Sequence, residues 1–166
     1  MDSPRYDENL VKKLEKLGGI SEILLTHRDD VADADLYARH FKARVWIHEA
    51  DRSAAPYATD LLQGREPKVI RESLLAIPVP GHTLGSVVYL LEETYLFTGD
   101  SLAWDFAGKD LEAFEDACWY SWDELKGSLA RLGGYRFEWV LAGHGGSVHL
   151  PAEEMRRRLL SLVERM

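Results

Sequence analysis

Leu10, Val11, Leu14 and Leu17 recur at the spacing of one helical face. The pattern predicts a helix over 7–17, ended by Gly18 and Gly19, since glycine accepts the positive φ of a helix C-terminus. An apolar run over 20–26 reads as a strand. Residues 31–41 read as a second helix, with acidic residues at its start where they favour the helix dipole. A short strand over 44–48 follows, ending in "WIHEAD". Residues 51–67 are polar and broken by proline and glycine, and read mostly as loop. Residues 68–78 carry one or two strands, and "GHTLGS" is a glycine-bounded turn. Residues 87–91 and 95–98 form a hairpin around Glu92 and Glu93. Residues 102–120 are irregular and aromatic. Ser121 with Glu124 fits a capping box. It opens a helix whose Trp122, Leu125, Leu129 and Leu132 form a stripe, stopped at Gly133 and Gly134. A strand over 137–142 runs into "GHGG". Pro151 suits the first turn of a last helix, with Met155, Leu159 and Leu162 on its buried side. Strands alternating with helices place the chain in the α/β or layered mixed-sheet class.

The chain has 166 residues, the size of a single domain spanning 1–166. Five Trp and seven Tyr supply bulk for a core. The formal charge is −8, and the one dense cationic run is Arg156, Arg157 and Arg158. Phosphate backbones need a positive footprint, so nucleic acid is disfavoured as a partner. No window approaches the roughly 18 apolar residues of a membrane span. No signal-peptide pattern opens the chain, which makes a cytoplasmic location the expectation. Cys118 is the single cysteine; it excludes an internal disulfide and a cysteine-rich zinc site, and reads as a small half-buried thiol.

The chemistry lies with the histidines. His27, His82 and His144 each stand at the end of an expected strand or in a turn, two of them beside glycine, and Asp100 ends a strand in "FTGD". Rigid strands followed by permissive glycines converge such groups on one rim of a sheet. Imidazole and carboxylate together suit Zn²⁺ or Fe²⁺ rather than Ca²⁺. A lone histidine near a strand end is more often a hydrogen-bonded packing residue than a ligand, and His40 and His149 are read that way. His48 is expected to bind backbone or a carboxylate, with a metal as the lesser alternative. Four strand-end positions together favour a site.

"THRDD", "GHTLGS", "FTGD" and "AGHGG" occur in the order of the motifs of the metallo-β-lactamase superfamily, and the resemblance covers nearly the whole chain. It implies an αββα sandwich with metals at one edge, between the sheets. It also implies hydrolysis by metal-activated water, with thioesters, lactams and phosphodiesters among the family's substrates, and iron-dependent redox or sulfur oxidation in some branches. The family's first motif runs His-any-His-any-Asp-His. Here His27 keeps the first position, Asp29 stands at the second histidine, Val31 at the metal-binding aspartate and Ala32 at the last histidine. His82, the bridging Asp100 and His144 match the later ligands.

Carried over residue by residue, the resemblance leaves the first metal His27, Asp29, His82 and Asp100, and the second only Asp100 and His144. A catalytic metal needs about three protein ligands with one position open, so one Zn or Fe ion is expected, or none. Asp29 is left open between ligand and cap of the helix beginning near Val31; Asp30 is read as a cap. His144, without a second metal, becomes an acid/base or oxyanion-side group alongside Asp100. The two readings are a mononuclear metal-dependent hydrolase-like enzyme acting on a small molecule, and a metal-free binding or structural module.

Trp119, Tyr120 and Trp122 are expected to cover the core, with Trp119 the one to double as a pocket wall; Trp104 and Phe106 could overhang the site. "MDSP" resembles the end of the family's strand that finishes "IDTP". Part of the first sheet is thus expected to be missing, and its uncovered edge to pair with a second copy or a partner domain.

Overall fold

The computed structural model describes residues 1–166. Four helices flank the sheets: α1 (Glu8–Lys16), α2 (Ala34–Phe41), α3 (Trp122–Leu132) and α4 (Ala152–Arg165). The smaller sheet has three parallel strands in the order β1 (Glu22–Leu24), β2 (Arg44–His48) and β3 (Asp60–Leu62). The larger sheet contains β4 (Lys68–Arg71), β5 (Leu74–Pro78), β6 (Val87–Leu91), β7 (Tyr95–Gly99), β10 (Trp139–Ala142) and β11 (Val148–His149). Its order is β11-β10-β7-β6-β5-β4. A hairpin of β8 (Ala103–Asp105) and β9 (Asp110–Glu112) stands apart.

The central strands are buried on both faces, the edge strand β4 being largely exposed, and side-chain alternation sorts residues between layers. In the smaller sheet Leu24 and Trp46, paired in register, face the other sheet. Ile23, Val45 and Ile47 face α1 and α2 with Val11 and Tyr37. In the larger sheet Ala76, Val87 and Tyr89 turn inward. Ile77, Val88, Leu90 and Leu96 pack on Leu125, Leu129, Leu132, Met155, Leu159 and Leu162 of α3 and α4. The result is the expected αββα sandwich. No helix is long and apolar enough to cross a membrane.

Asp7 caps α1 by accepting from the Asn9 and Leu10 N–H groups at 2.6 and 3.0 Å. Ser121 Oγ accepts from the Glu124 N–H at 3.2 Å. The capping box is only half made, because the Glu124 carboxylate pairs with Arg65 instead and the Ser121 N–H donates to the Gly81 carbonyl. α2 begins three residues later than the pattern predicts. Asp33 stands at its N-cap without a side-chain cap bond, its carboxylate accepting from the Tyr6 N–H at 2.7 Å.

β3, β8, β9 and β11 fall where the pattern suggests loop or irregular chain. Each has two or three residues, too few for alternation to register, and is a strand because a neighbour supplies the ladder. β1 lies at the edge of its sheet, and Asp2 N–H donates to the Leu24 carbonyl at 2.8 Å on approach to it.

Candidate metal centre

β5, β7 and β10 run parallel, so their C-terminal ends share one rim of the larger sheet. The turns after them carry His82, Asp100 and His144. β1 ends on the same rim, where the Val87 N–H donates to the Thr26 carbonyl at 2.8 Å, and delivers His27. Gly99 makes the approach of the two sheets possible. It has φ +51°, and a Cβ there would lie 2.3 Å from Thr26 Oγ1.

The structure brings together the four residues expected at the first metal position. His27 and His82 are buried and face each other edge to face, ring centroids 4.6 Å apart. Their Nε2 atoms have no hydrogen-bond partner. Asp100 Oδ2 lies 3.6 Å from His27 Nε2 and 3.8 Å from His82 Nε2. Asp29 Oδ2 lies 4.0 and 3.5 Å from the same two atoms. Ligands about 2.0–2.2 Å from a tetrahedral ion sit roughly 3.4 Å from one another. The two buried nitrogens without partners and the Asp100 carboxylate are a three-donor set that a divalent cation fits, with the half-exposed Asp29 carboxylate beside them. Without one, each orphaned ring nitrogen carries the cost of a buried unpaired polar atom, about 1–3 kcal/mol.

The ring of His27 is set for this role. Thr26 Oγ1–H donates to the Asp2 carboxylate at 2.9–3.0 Å, which also accepts the Thr26 N–H at 2.7 Å. Thr26 Oγ1 therefore accepts from His27 Nδ1–H at 2.9 Å. That bond leaves the Nε2 lone pair pointing at the centre, as an outer-shell partner does for a metal-binding histidine. Burial holds the His27 imidazolium down, partly offset by the Asp100 carboxylate. Burial also raises the Asp2 carboxyl to about 6, its bonds to Thr26 opposing the rise.

A second cluster joins Asp30, Asp100 and His144. It corrects two expectations. Asp30 does not cap α2, and the second position holds more than Asp100 and His144, because Asp30 Oδ2 lies 3.9 Å from His144 Nδ1. Asp29 is not a cap either. In the irregular turn before α2 the two aspartates diverge, Asp29 toward the buried histidines and Asp30 toward His144. Val31 turns into the core under α1 and α2. The clusters differ in chemistry. His144 is largely exposed, and its Nδ1–H donates to both Asp100 oxygens at 2.9 and 3.0 Å. That bond, then the charges of Asp100 and Asp30, raises the His144 pKa above the ordinary value. His144 Nδ1 is satisfied within the protein, whereas the Nε2 atoms of His27 and His82 are not.

His48 is no ligand: its Nδ1 accepts from the Ala50 N–H at 3.2 Å, so Nε2–H donates to the Gly64 carbonyl at 2.9 Å. His40 bonds Glu15, and His149 stacks on Trp139. Trp122 packs against the helix-side core, whereas Trp119 and Tyr120 are exposed, contrary to the expectation of core. The Trp119 N–H donates to the His82 carbonyl at 2.9 Å, which anchors the turn and leaves the indole outside, its ring 6.4 Å from that of His82. Phe106, also exposed, lies beside Gly146.

A four-layer sandwich with histidines and carboxylates gathered on one rim defines a class of metal-centre fold. The chain belongs to the metallo-β-lactamase superfamily, whose model matches residues 2–165. It is similar to hydroxyacylglutathione hydrolase of Cereibacter sphaeroides, at 35% identity over 121 residues covering 70% of this chain and 48% of that protein. The chain thus spans about half the length of the hydroxyacylglutathione hydrolases it matches. Among solved structures it is similar to TTHA1623 in a di-iron-bound form (TM-score 0.69, 24% identity, 95% of this chain and 85% of that one). It is also similar to the metallo-β-lactamase FIM-1 of Pseudomonas aeruginosa in its mono-zinc form (TM-score 0.71, 16% identity, 99% and 77%).

Proposed function

We propose that this chain is a hydrolase-like enzyme with a single metal ion, held by His27, His82, Asp100 and Asp29. The observation that carries the reading is the pair of buried Nε2 atoms without partners, both facing Asp100 Oδ2 and Asp29 Oδ2. A bound ion would lower the pKa of water to about 7 and polarise a carbonyl. The residues of the chain do the rest. The Asp2–Thr26–His27 relay fixes the ring that faces the ion. Asp100 spans both clusters: both of its oxygens accept from His144 Nδ1–H, and its Oδ2 also faces the buried histidines. His144, exposed and with its pKa raised by its bond to Asp100, is placed to donate a proton to a leaving group at the mouth.

One ion rather than two is favoured because the second cluster offers a single, largely exposed imidazole where the first offers two buried ones. Two nitrogens and two oxygens suit both Zn²⁺ and Fe²⁺, and the similar solved structures include both a mono-zinc and a di-iron form. The hydroxyacylglutathione hydrolase relatives make a hydroxyacyl thioester the substrate class to assay first.

The test is metal analysis of protein purified without chelator or affinity tag. One equivalent of Zn or Fe, lost in His82→Ala, is expected. A wild-type protein that stays metal-free after incubation with Zn²⁺ and with Fe²⁺ would overturn the reading and leave a metal-free module.

A further inference from the structure

Asp51 is one of the most deeply buried charged residues of the chain, 2% exposed, yet it belongs to neither histidine cluster. It lies on a short 3-10 helix (Glu49–Ala54) that follows β2 and is capped by the His48 ring. A single oxygen, Oδ2, accepts from the Arg28 N–H at 3.1 Å and from Thr83 Oγ1–H at 2.6 Å. Arg28 lies between His27 and Asp29, and Thr83 follows His82. The two loops that supply three of the four proposed ligands are therefore tied to one atom of a third segment.

The rest of the turn is arranged around that bond. Ser86 Oγ accepts from the Thr83 N–H at 2.9 Å and lies 3.0 Å from Thr83 Oγ1; since the Thr83 hydroxyl proton goes to Asp51, Ser86 donates to Thr83. Gly85 is required by the same contact, because a Cβ there would lie 2.5 Å from Asp51 Cγ. Thus the second glycine of "GHTLGS" makes room for a carboxylate from elsewhere in the chain. Hydrogen bonds to a carboxylate are about twice as strong as those between neutral groups, and in a buried site they are not shared with water.

We propose that Asp51 is a positioning residue of the metal centre: its carboxylate holds the 27–29 loop and the 81–86 turn at the separation at which His27 and His82 meet one cation. The proposal rests on the single-ion reading above. It accounts for the convergence of two buried rings across the gap between two sheets, which no hydrogen bond between the rings themselves enforces.

The experiment measures Zn²⁺ affinity by chelator competition, and the visible absorption of the Co²⁺ form, for wild type, Asp51→Ala, Asp51→Asn, Thr83→Val and Thr83→Ser. Asp51→Ala and Thr83→Val are expected to bind Zn²⁺ about 10- to 100-fold more weakly and to change the Co²⁺ band, as loss of an outer-shell partner does. Thr83→Ser keeps the hydroxyl and is expected to stay within about threefold of wild type; Asp51→Asn keeps an acceptor oxygen but loses the charge, and its affinity is expected between those of Asp51→Ala and wild type. Should Asp51→Ala not fold, Thr83→Val decides, since it removes one hydroxyl in an unchanged volume. Wild-type affinity in folded Thr83→Val, or a Thr83→Ser variant as weak as Thr83→Val, would overturn the positioning role alone. A wild-type chain that binds neither ion would overturn both this role and the single-ion reading.

Discussion

His27 and His82 present their Nε2 atoms to a common point, ring centroids 4.6 Å apart and planes at 87°, and neither atom has a hydrogen-bond partner. They come from different sheets, and the carboxylates of Asp29 and Asp100 face both. Buried polar atoms are mostly paired in proteins, and a bound ion would satisfy both of these at once.

That gain is measurable as heat resistance. With free Zn²⁺ at 100 times its Kd, the wild-type chain should gain about 3 kcal/mol, which for a chain of this size raises Tm by roughly 6–10 °C. His27→Gln should remove the gain. Differential scanning of metal-free and Zn²⁺-loaded protein reads it directly, and equal shifts in wild type and variant would count against the centre.

The adjacent aspartates should behave differently. Asp29→Ala is expected to weaken Zn²⁺ binding about tenfold or more, because its Oδ2 lies 3.5 Å from His82 Nε2. Asp30→Ala should leave affinity and one-ion stoichiometry unchanged, because Asp30 faces His144. Chelator competition separates the two, and a second equivalent lost on removing Asp30 would speak for two ions.

Proton linkage gives a third check, made on the metal-free protein. His144 titrates above the ordinary histidine value because Asp100 holds its proton, and His27 below it because burial disfavours the charge. NMR of the imidazole signals should show both, with Asp100→Asn returning His144 toward the ordinary value. The signs for stability follow. The raised His144 contributes stability that is fully present below about 6.5 and is lost as pH rises through its folded pKa. Asp2, raised to about 6 from 3.8, carries a burial cost above that range, relieved as pH falls through it. These two terms favour metal-free stability as pH falls from 8 toward 5, while the lowered His27 opposes them, because the unfolded chain takes up that proton first; Asp2→Asn should remove the acid-favouring part of the slope in denaturant titrations at fixed pH.

Gly99→Ala tests the seam between the sheets. The added methyl meets Thr26 Oγ1 at 2.3 Å with φ at +51°, so a loss of about 2 kcal/mol or more is expected, together with weaker metal binding. Gly127→Ala, in α3, meets only the tip of Arg131 at 3.8 Å; it should be neutral or slightly stabilising by helix propensity. Thermal scans of the pair show whether the cost belongs to the seam.

Trp119 offers a contrast between exposure and position. Its side chain is exposed, so Trp119→Ala should change stability by no more than about 0.5 kcal/mol. The backbone bond to the His82 carbonyl survives the substitution, so Zn²⁺ affinity should hold. A large loss of folded stability in denaturant titration would show the indole packed in solution.

The sequence by itself determined the layers. The continuous apolar run Val87–Leu91 reads as a strand buried on both faces, and the stripe of Leu125, Leu129 and Leu132 follows the helical period of a face buried against a neighbouring layer. It also marked His27, His82, Asp100 and His144, because strand ends and the glycines beside several of them are readable in one dimension. What the tertiary structure decided is which way short side chains point in irregular turns. Asp29 and Asp30 are adjacent and alike, and only the packing of the 27–33 turn on the rim sends one to His82 and the other to His144. The strands of two or three residues and the two-loop hold of Asp51 were likewise settled there. Each depends on a partner distant in the chain, and an isolated residue carries no local signal of a hydrogen bond that folding alone brings within reach.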